Sequence, residues 1–199
     1  MTFDSLHVIP LSLIIGYLVG SIPFGLIISF SAGKGDIRKI GSGNIGATNV
    51  LRTGSKTLAA LTLILDAGKG AFITFFIITL WGHEIGVICG LGAVLGHNFS
   101  IWLRFKGGKG IATTFGVLLV VSWPIGLLSS LCWIFIAIAF RYSSLASLIS
   151  LSFTPFFSWW LGNNIITMLS IALAVLSIIR HSQNIKNLFN GTETKIKLK

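Results

Sequence analysis

Seven apolar stretches, near 6–31, 57–81, 85–103, 110–123, 125–140, 145–161 and 164–180, take up most of this chain. A transmembrane helix needs roughly 20 such residues, and the first three runs are long enough on that ground alone. The other four are shorter, and the distribution of charge arbitrates. If all seven cross a bilayer with the N-terminus outside, the inner segments are 32–56, 104–109, 141–144 and the tail after 180. These hold Lys34, Arg38, Lys39, Arg52, Lys56, Arg104, Lys106, Lys109, Arg141 and the cations from Arg180 onward, whereas the outer segments Thr2–Leu6, Gly82–Glu84, Trp123–Pro124 and Gly162–Asn164 have no lysine or arginine. Reading 111–140 as one kinked span would put Arg141 and the basic tail outside, against the inward bias of cations. The expected fold is therefore all-α and integral to the membrane. It has seven transmembrane helices in a single domain over 1–199, with the N-terminus outside and the C-terminus cytoplasmic.

Composition supports this and removes other classes. Charged residues make up 10% of the chain and mean hydropathy is +0.89, whereas soluble domains carry about a quarter charged residues. A net charge of +10 would suggest nucleic acid in a soluble protein. Here the membrane bias explains it, and no basic cluster sits on a soluble module. Trp81, Trp102, Trp123, Trp159 and Trp160 fall near expected span ends, where amphipathic rings prefer the interface; Trp133 is the exception. Cys89 and Cys132 lie in apolar runs and read as buried, inert thiols. The first apolar segment lacks a basic leader and runs too long for a cleavable signal. The tail from Asn184 starts as possible helix and ends as a polar, basic strip suited to anionic headgroups.

Polar residues gather in the inner segments. GSGNIGATNVLR (Gly41–Arg52) combines Gly41, Gly43 and Gly46, which permit tight turns, with the neutral hydrogen-bonding groups of Ser42, Asn44 and Asn49, and it ends on Arg52. Glycine-rich turns can form anion-binding nests, and arginine or lysine supplies the charge. The same composition would also serve a plain linker. A second run of the same kind, FKGGKG (Phe105–Gly110), flanks Gly107 and Gly108 with Lys106 and Lys109 and leads into a span, where a helix N-terminus favours anions. It does not match a Walker A loop. The two loops read as two walls of one phosphate-handling site.

His97 lies one to two turns into the membrane, and ionisable residues there lean functional. Asp66 and Lys69, three residues apart on the second span, can neutralise each other; they either hold the fold or orient a cation or a substrate hydroxyl. Arg141-Tyr142-Ser143-Ser144 marks the third inner turn. Arg180, His181, Asn184 and Asn187 recur at three and four residues, which places them along adjoining faces of one helix. Absences narrow the chemistry. There is no H-x-x-x-x-D, no G-x-S-x-G elbow, no Asp/Glu cluster for Mg²⁺ and no zinc set. The site is expected to be cationic, glycine-rich and free of metal and cofactor.

Three segments, GSGNIGATNVLR, GHNFSIWLRFKGGKGIATTFG (Gly96–Gly116) and RHSQNIKNLFNGTE (Arg180–Glu193), resemble the signature segments of the PlsY family, bacterial acyl-phosphate-dependent glycerol-3-phosphate acyltransferases. The resemblance covers nearly the whole chain. It implies transfer of a fatty acyl group from acyl phosphate to the sn-1 hydroxyl of glycerol 3-phosphate, giving lysophosphatidic acid and phosphate at the cytoplasmic face of the bacterial inner membrane. It also implies an upstream enzyme that makes acyl phosphate. Catalytic candidates are then Ser42, Asn44, Arg52, His97, Lys109 and His181. Gly41, Gly43, Gly46, Asn49, Asp66, Lys69, Lys106, Gly107, Gly108, Ser144, Arg180, Asn184 and Asn187 bind substrate. The general base is either His97 or the phosphate of glycerol 3-phosphate, the latter favoured by the lack of a carboxylate near the loops. The competing class is a transporter of an organic phosphate anion, against which stand the absence of an inverted repeat and the gathering of polar residues at one face.

Overall fold

The computed structural model describes residues 5–161 and 164–196, with side chains from His7 onward. Thr2–Asp4, the outer turn at Gly162–Asn163 and the tail residues Lys197 and Lys199 lie outside the described residues. Every described segment with regular structure is helical. Helices stand at each of the seven apolar runs. Among the described residues four are long and apolar enough to cross a membrane: His7–Ser31, Lys56–Trp81, His83–Leu103 and Trp123–Phe140, or five if the bent pair Asn164–Arg180 and Ser182–Phe189 counts as one span.

The described residues cluster into two units, one ending at Val121 and the other starting at Ser122. In the first, the 6–31 run is divided into α1 (Ser5–Gly20) and α2 (Phe24–Ser31) by a break at Ser21-Ile22-Pro23. Pro23 has no N–H to give, so the helical ladder cannot run through it. A short helix α3 (Ala47–Val50) follows within the glycine-rich loop, then α4 (Lys56–Trp81), whose N-cap Ser55 accepts from the N–H of Leu58. The 85–103 run ends its helix early: α5 covers His83–Asn98, and a 3-10 turn at Ile101–Leu103 follows. Next comes α6 (Ile111–Val121), an 11-residue helix, about 17 Å long and so well short of a 30 Å hydrocarbon core.

Packing in this unit relies on small residues. A Cβ at Gly16 or Gly20 would strike the α5 backbone at Cys89 or Ala93, and one at Gly92 or Gly96 would strike α1 at Leu13 or Tyr17. Close backbone approach of this kind is how helices associate where lipid removes the hydrophobic drive. The interior is correspondingly polar: Thr62, Asp66, Lys69, Thr74, His97, Asn98, Thr113 and Thr114 are buried, while Ile64, Phe72, Phe75 and Trp102 are exposed. Such an inversion of the soluble pattern suits hydrocarbon as solvent.

The second unit contains α7 (Trp123–Phe140), α8 (Ser143–Trp160), α9 (Asn164–Arg180) and α10 (Ser182–Phe189). Trp123 and Pro124, expected in an outer turn, form the first turn of α7 behind Ser122, where proline's missing N–H is no loss. Hydroxyls bind its helices: Ser129 to Thr154 at 2.8 Å and Ser158 to Ser170 at 2.8 Å. Trp133, the tryptophan away from a span end, donates Nε1–H to Ser147 at 3.0 Å. Of the two thiols, Cys89 is buried as expected but Cys132 is only half-buried.

Candidate active site

In the first unit the loop from Asp36 to Arg52 is built around one buried carboxamide. Asn49 donates through Nδ2 to the carbonyls of Ile37 (2.7 Å), Asn44 (2.8 Å) and Ile40 (3.2 Å). Its Oδ1 accepts from the N–H of Ser42 at 3.2 Å and from Arg52 Nη1 at 3.4 Å. Gly41 and Gly43 take φ of +56° and +68°, and a Cβ at Gly41 would run into Asn49 and Arg52. Asn44 turns its Oδ1 back onto the N–H of Ile45 at 2.9 Å. Below the loop Ile37, Ile45, Val50, Leu26 and Ala59 form an apolar plug, against which Leu51 and Leu103 pack. At the loop's entrance the Arg38 guanidinium grips Asp36 at 2.7 Å and holds its carboxyl down at about 2.

Deeper in the unit three ionisable groups meet. Lys69 Nζ lies 2.9 Å from Asp66 Oδ1, 2.9 Å from His97 Nδ1 and 2.7 Å from the carbonyl oxygen of Ile22. His97 Nδ1 is 3.6 Å from Asp66 Oδ1. The Ile22 carbonyl is within reach because the helix is interrupted there: the N–H of Leu26, its helical partner, bonds to Pro23 instead at 3.0 Å. The Lys106–Gly110 turn then folds over His97. The N–H of Gly108 donates to the His97 carbonyl at 2.9 Å. A Cβ at Gly107 would overlap that carbonyl, and one at Gly108 would overlap Nε2 of the ring. Lys106 is exposed and Lys109 half-buried. Two consecutive non-glycine residues ahead of the turn, Arg104 and Phe105, have φ of +51° and +63°, a strained arrangement of the sort found at functional turns.

In the second unit a carboxylate from the tail organises the polar residues. Glu193 Oε1 accepts from Ser144 Oγ and from Asn184 Nδ2, each at 2.8 Å. The tail is tied to the inner turn: the N–H of Ile196 donates to the Arg141 carbonyl at 2.6 Å, and the Arg141 guanidinium donates to the Ile196 carbonyl at 3.2 Å. His181 is buried, with Nδ1 2.8 Å from the carbonyl of Ser177.

Residues 10–191 match the glycerol-3-phosphate acyltransferase family. The chain belongs to that family. Among curated relatives it is 49% identical over 188 residues to the glycerol-3-phosphate acyltransferase of Bradyrhizobium diazoefficiens, covering 94% of this chain and 95% of that one. To the Dinoroseobacter shibae enzyme it is 50% identical over 138 residues, 69% of this chain and 68% of the other. A crystal structure of PlsY, an integral membrane glycerol 3-phosphate acyltransferase in its glycerol 3-phosphate form, matches with a TM-score of 0.89 at 37% identity over 94% of both chains. This acyltransferase is therefore an enzyme of the membrane, built of apolar helices, and the transporter reading is set aside.

Several expectations for the acyltransferase's site change in detail. Asn49, expected to face substrate, spends its carboxamide inside the loop. Gly46 has φ of −82°, so no tight left-handed turn requires glycine there. Gly107 and Gly108 have a packing reason in His97. Arg180, His181, Asn184 and Asn187 do not lie along one helix: α9 ends at Arg180, α10 begins at Ser182, and the two are bent by 62°. The break falls where the His181 ring takes up the Ser177 carbonyl. Arg180 is half-buried at the end of α9, and Asn187 accepts from Gln183 at 3.0 Å on α10. A carboxylate does stand among the candidates, since Glu193 holds Ser144 and Asn184. Glu193 closes the third signature segment, but nothing in the sequence pairs it with Ser144, 49 residues away. Asn98, within the second signature segment but not named as a site residue, sets its buried carboxamide against Gly110.

Proposed function

We propose that the chain transfers a fatty acyl group from acyl phosphate to the sn-1 hydroxyl of glycerol 3-phosphate at the cytoplasmic face of the bacterial inner membrane. The observation that carries this is the likeness over 94% of the chain to a protein solved in a glycerol 3-phosphate form and in a lysophosphatidic acid form, one substrate and one product of such a reaction. Seven spans in a single membrane domain, N-terminus outside and C-terminus inside, fit the one-sided placement of lysine and arginine. Acyl phosphate must be made upstream by an enzyme that forms the mixed anhydride.

The glycerol oxygen attacks the acyl carbonyl carbon; the new C–O bond forms as the bond from that carbon to the phosphate oxygen breaks. Phosphate departs with the electron pair, and the hydroxyl proton ends on a phosphate oxygen. An acyl phosphate is already activated, so no acyl-enzyme is needed. Lys109 and Arg52 neutralise phosphate, with Lys106 and Arg180 adding to the field. Ser42 and Asn44, with the loop N–H groups, position the acyl donor. Ser144, His181, Asn184 and Asn187 bind glycerol 3-phosphate. Purified protein given both substrates should release phosphate and lysophosphatidic acid in equal amounts. Lys109→Ala should lose most of that activity while still accumulating in the membrane. Unchanged turnover would remove the phosphate role, and uptake of glycerol 3-phosphate into liposomes without product would overturn the reaction itself.

A further inference from the structure

Three acceptors surround Nζ of Lys69: Asp66 Oδ1, the Ile22 carbonyl oxygen and His97 Nδ1, at 2.9, 2.7 and 2.9 Å. An ammonium has three N–H donors and no acceptor, so a charged Lys69 donates to the Ile22 carbonyl and to His97 Nδ1 while its charge balances Asp66, whose Oδ1 stands at ion-pair distance. The carboxylate and the carbonyl can only accept. A proton on Nδ1 would point at an ammonium N–H, donor against donor. The alternative is a neutral amine accepting from Nδ1–H. With a neutral ring it would strip Asp66 of its counter-charge where both side chains are 2% exposed, and an unpaired buried charge is strongly unfavourable. With a doubly protonated ring it would exchange an ammonium 2.9 Å from Asp66 Oδ1 for a ring nitrogen 3.6 Å away.

We infer that Lys69 is a positioning residue that fixes His97 as the neutral tautomer protonated on Nε2, so that His97 serves the site as a hydrogen-bond donor at the Lys106–Gly110 turn and not as the general base. The ring is clamped between its neighbours. Its Nδ1 edge meets Lys69, with Asp66 at 3.6 Å, and its Nε2 edge lies against Gly108, next to Lys109. Taking a second proton would set an imidazolium beside the Lys69 ammonium. His181 provides the internal contrast: its Nδ1 contacts a carbonyl oxygen, Ser177 O at 2.8 Å, which can only accept, so its proton sits on Nδ1. The tautomer stands on geometry alone; its role in transfer rests on the acyltransferase reading above.

The test is a nitrogen-15 NMR spectrum of the full chain in lipid nanodiscs, with ring-labelled histidine and the His97 signals assigned by their loss in His97→Gln. The expected result is His97 unprotonated at Nδ1 and protonated at Nε2 at neutral pH, with His181 reversed. In Asp66→Asn/Lys69→Met, which removes both charges together and spares the fold an unpaired ion, His97 should become a mixture of tautomers. A His97 protonated on Nδ1, or on both nitrogens, overturns the inference. Kinetics supply the second arm. Glutamine offers a donor and an acceptor but cannot take up a proton, so His97→Gln should lose clearly less activity than His97→Leu and leave the shape of the pH–rate profile unmoved. His97→Leu, offering neither, should lose at least about tenfold. Equal losses of roughly 10²–10⁴-fold in both variants would restore His97 as the base. Should the parent protein show no acyl transfer while the spectrum is as expected, the proposed reaction fails and the tautomer stands.

Discussion

The methylene hydrogens of Gly108 face the imidazole of His97, leaving no room there for a methyl group. Gly108→Ala should therefore push the ring off Lys69 or lift the Lys106–Gly110 turn. Overpacking of this kind typically destabilises by about 1–3 kcal/mol, and thermal unfolding in detergent alongside the transfer rate would measure both effects. Asn49→Ala should also loosen the loop, since it removes a donor shared by the carbonyls of Ile37, Ile40 and Asn44, of which Ile37 and Ile40 keep a backbone N–H partner; a buried group left unsatisfied costs about 1–3 kcal/mol. Acyl transfer should fall with it, because Ser42 and Arg52 both lean on the same Oδ1. At Asp36 the folded carboxyl sits at about 2 against an ordinary 3.8. Its pairing with Arg38 thus favours the fold above pH ~4 and fades as pH falls toward ~2. The pair is exposed, so the effect is slight. Asp36→Asn should lower the unfolding temperature a little at pH 7 and by clearly less at pH 2.

Helices were readable from the sequence where a run of apolar residues met polar neighbours, because lipid acts on each residue separately and the pattern sums along the chain. The α4 helix was expected at 57–81 and found at Lys56–Trp81, and Trp123–Phe140 differs from its expected run by two residues at one end. Breaks within helices were harder to see. The 62° bend falls at His181, whose ring shares the Ser177 carbonyl with its own backbone N–H, a contact no periodicity reports. The i, i+3 spacing of Asp66 and Lys69 was legible, but His97, 28 residues beyond Lys69, joins them only through packing of α5 on α4. The same holds for Glu193. Because two donors at 2.8 Å converge on one carboxylate oxygen, Glu193→Ala should lose roughly 3–6 kcal/mol of stability, hydrogen bonds to a charged group contributing about 1.5–3 kcal/mol each. A double-mutant cycle with Ser144→Ala should return a coupling of about 0.5–3 kcal/mol; additive losses would mean the contact contributes nothing.

Among the described residues many large apolar side chains face outward, while a long run of hydroxyls, the carboxamides of Asn49, Asn98 and Asn184, and the Asp66–Lys69 ion pair lie buried. That division follows from composition together with the bilayer, and it explains how so few charged residues can be placed with such consequence: each one inside must be answered by another group. The candidate site segments stand out in the sequence as glycine, asparagine and basic residues between apolar runs. Their internal wiring does not, since it is fixed by contacts between elements far apart in sequence. Pro23 shows how far such wiring reaches. It bears no hydrogen-bonding side chain, yet by interrupting the first helix it releases the Ile22 oxygen to Lys69. A Pro23→Ala replacement that healed the helix would reclaim that oxygen and leave the lysine one ligand short. The address of a single proton on a distant imidazole would then be rewritten by a residue with no acid–base chemistry of its own.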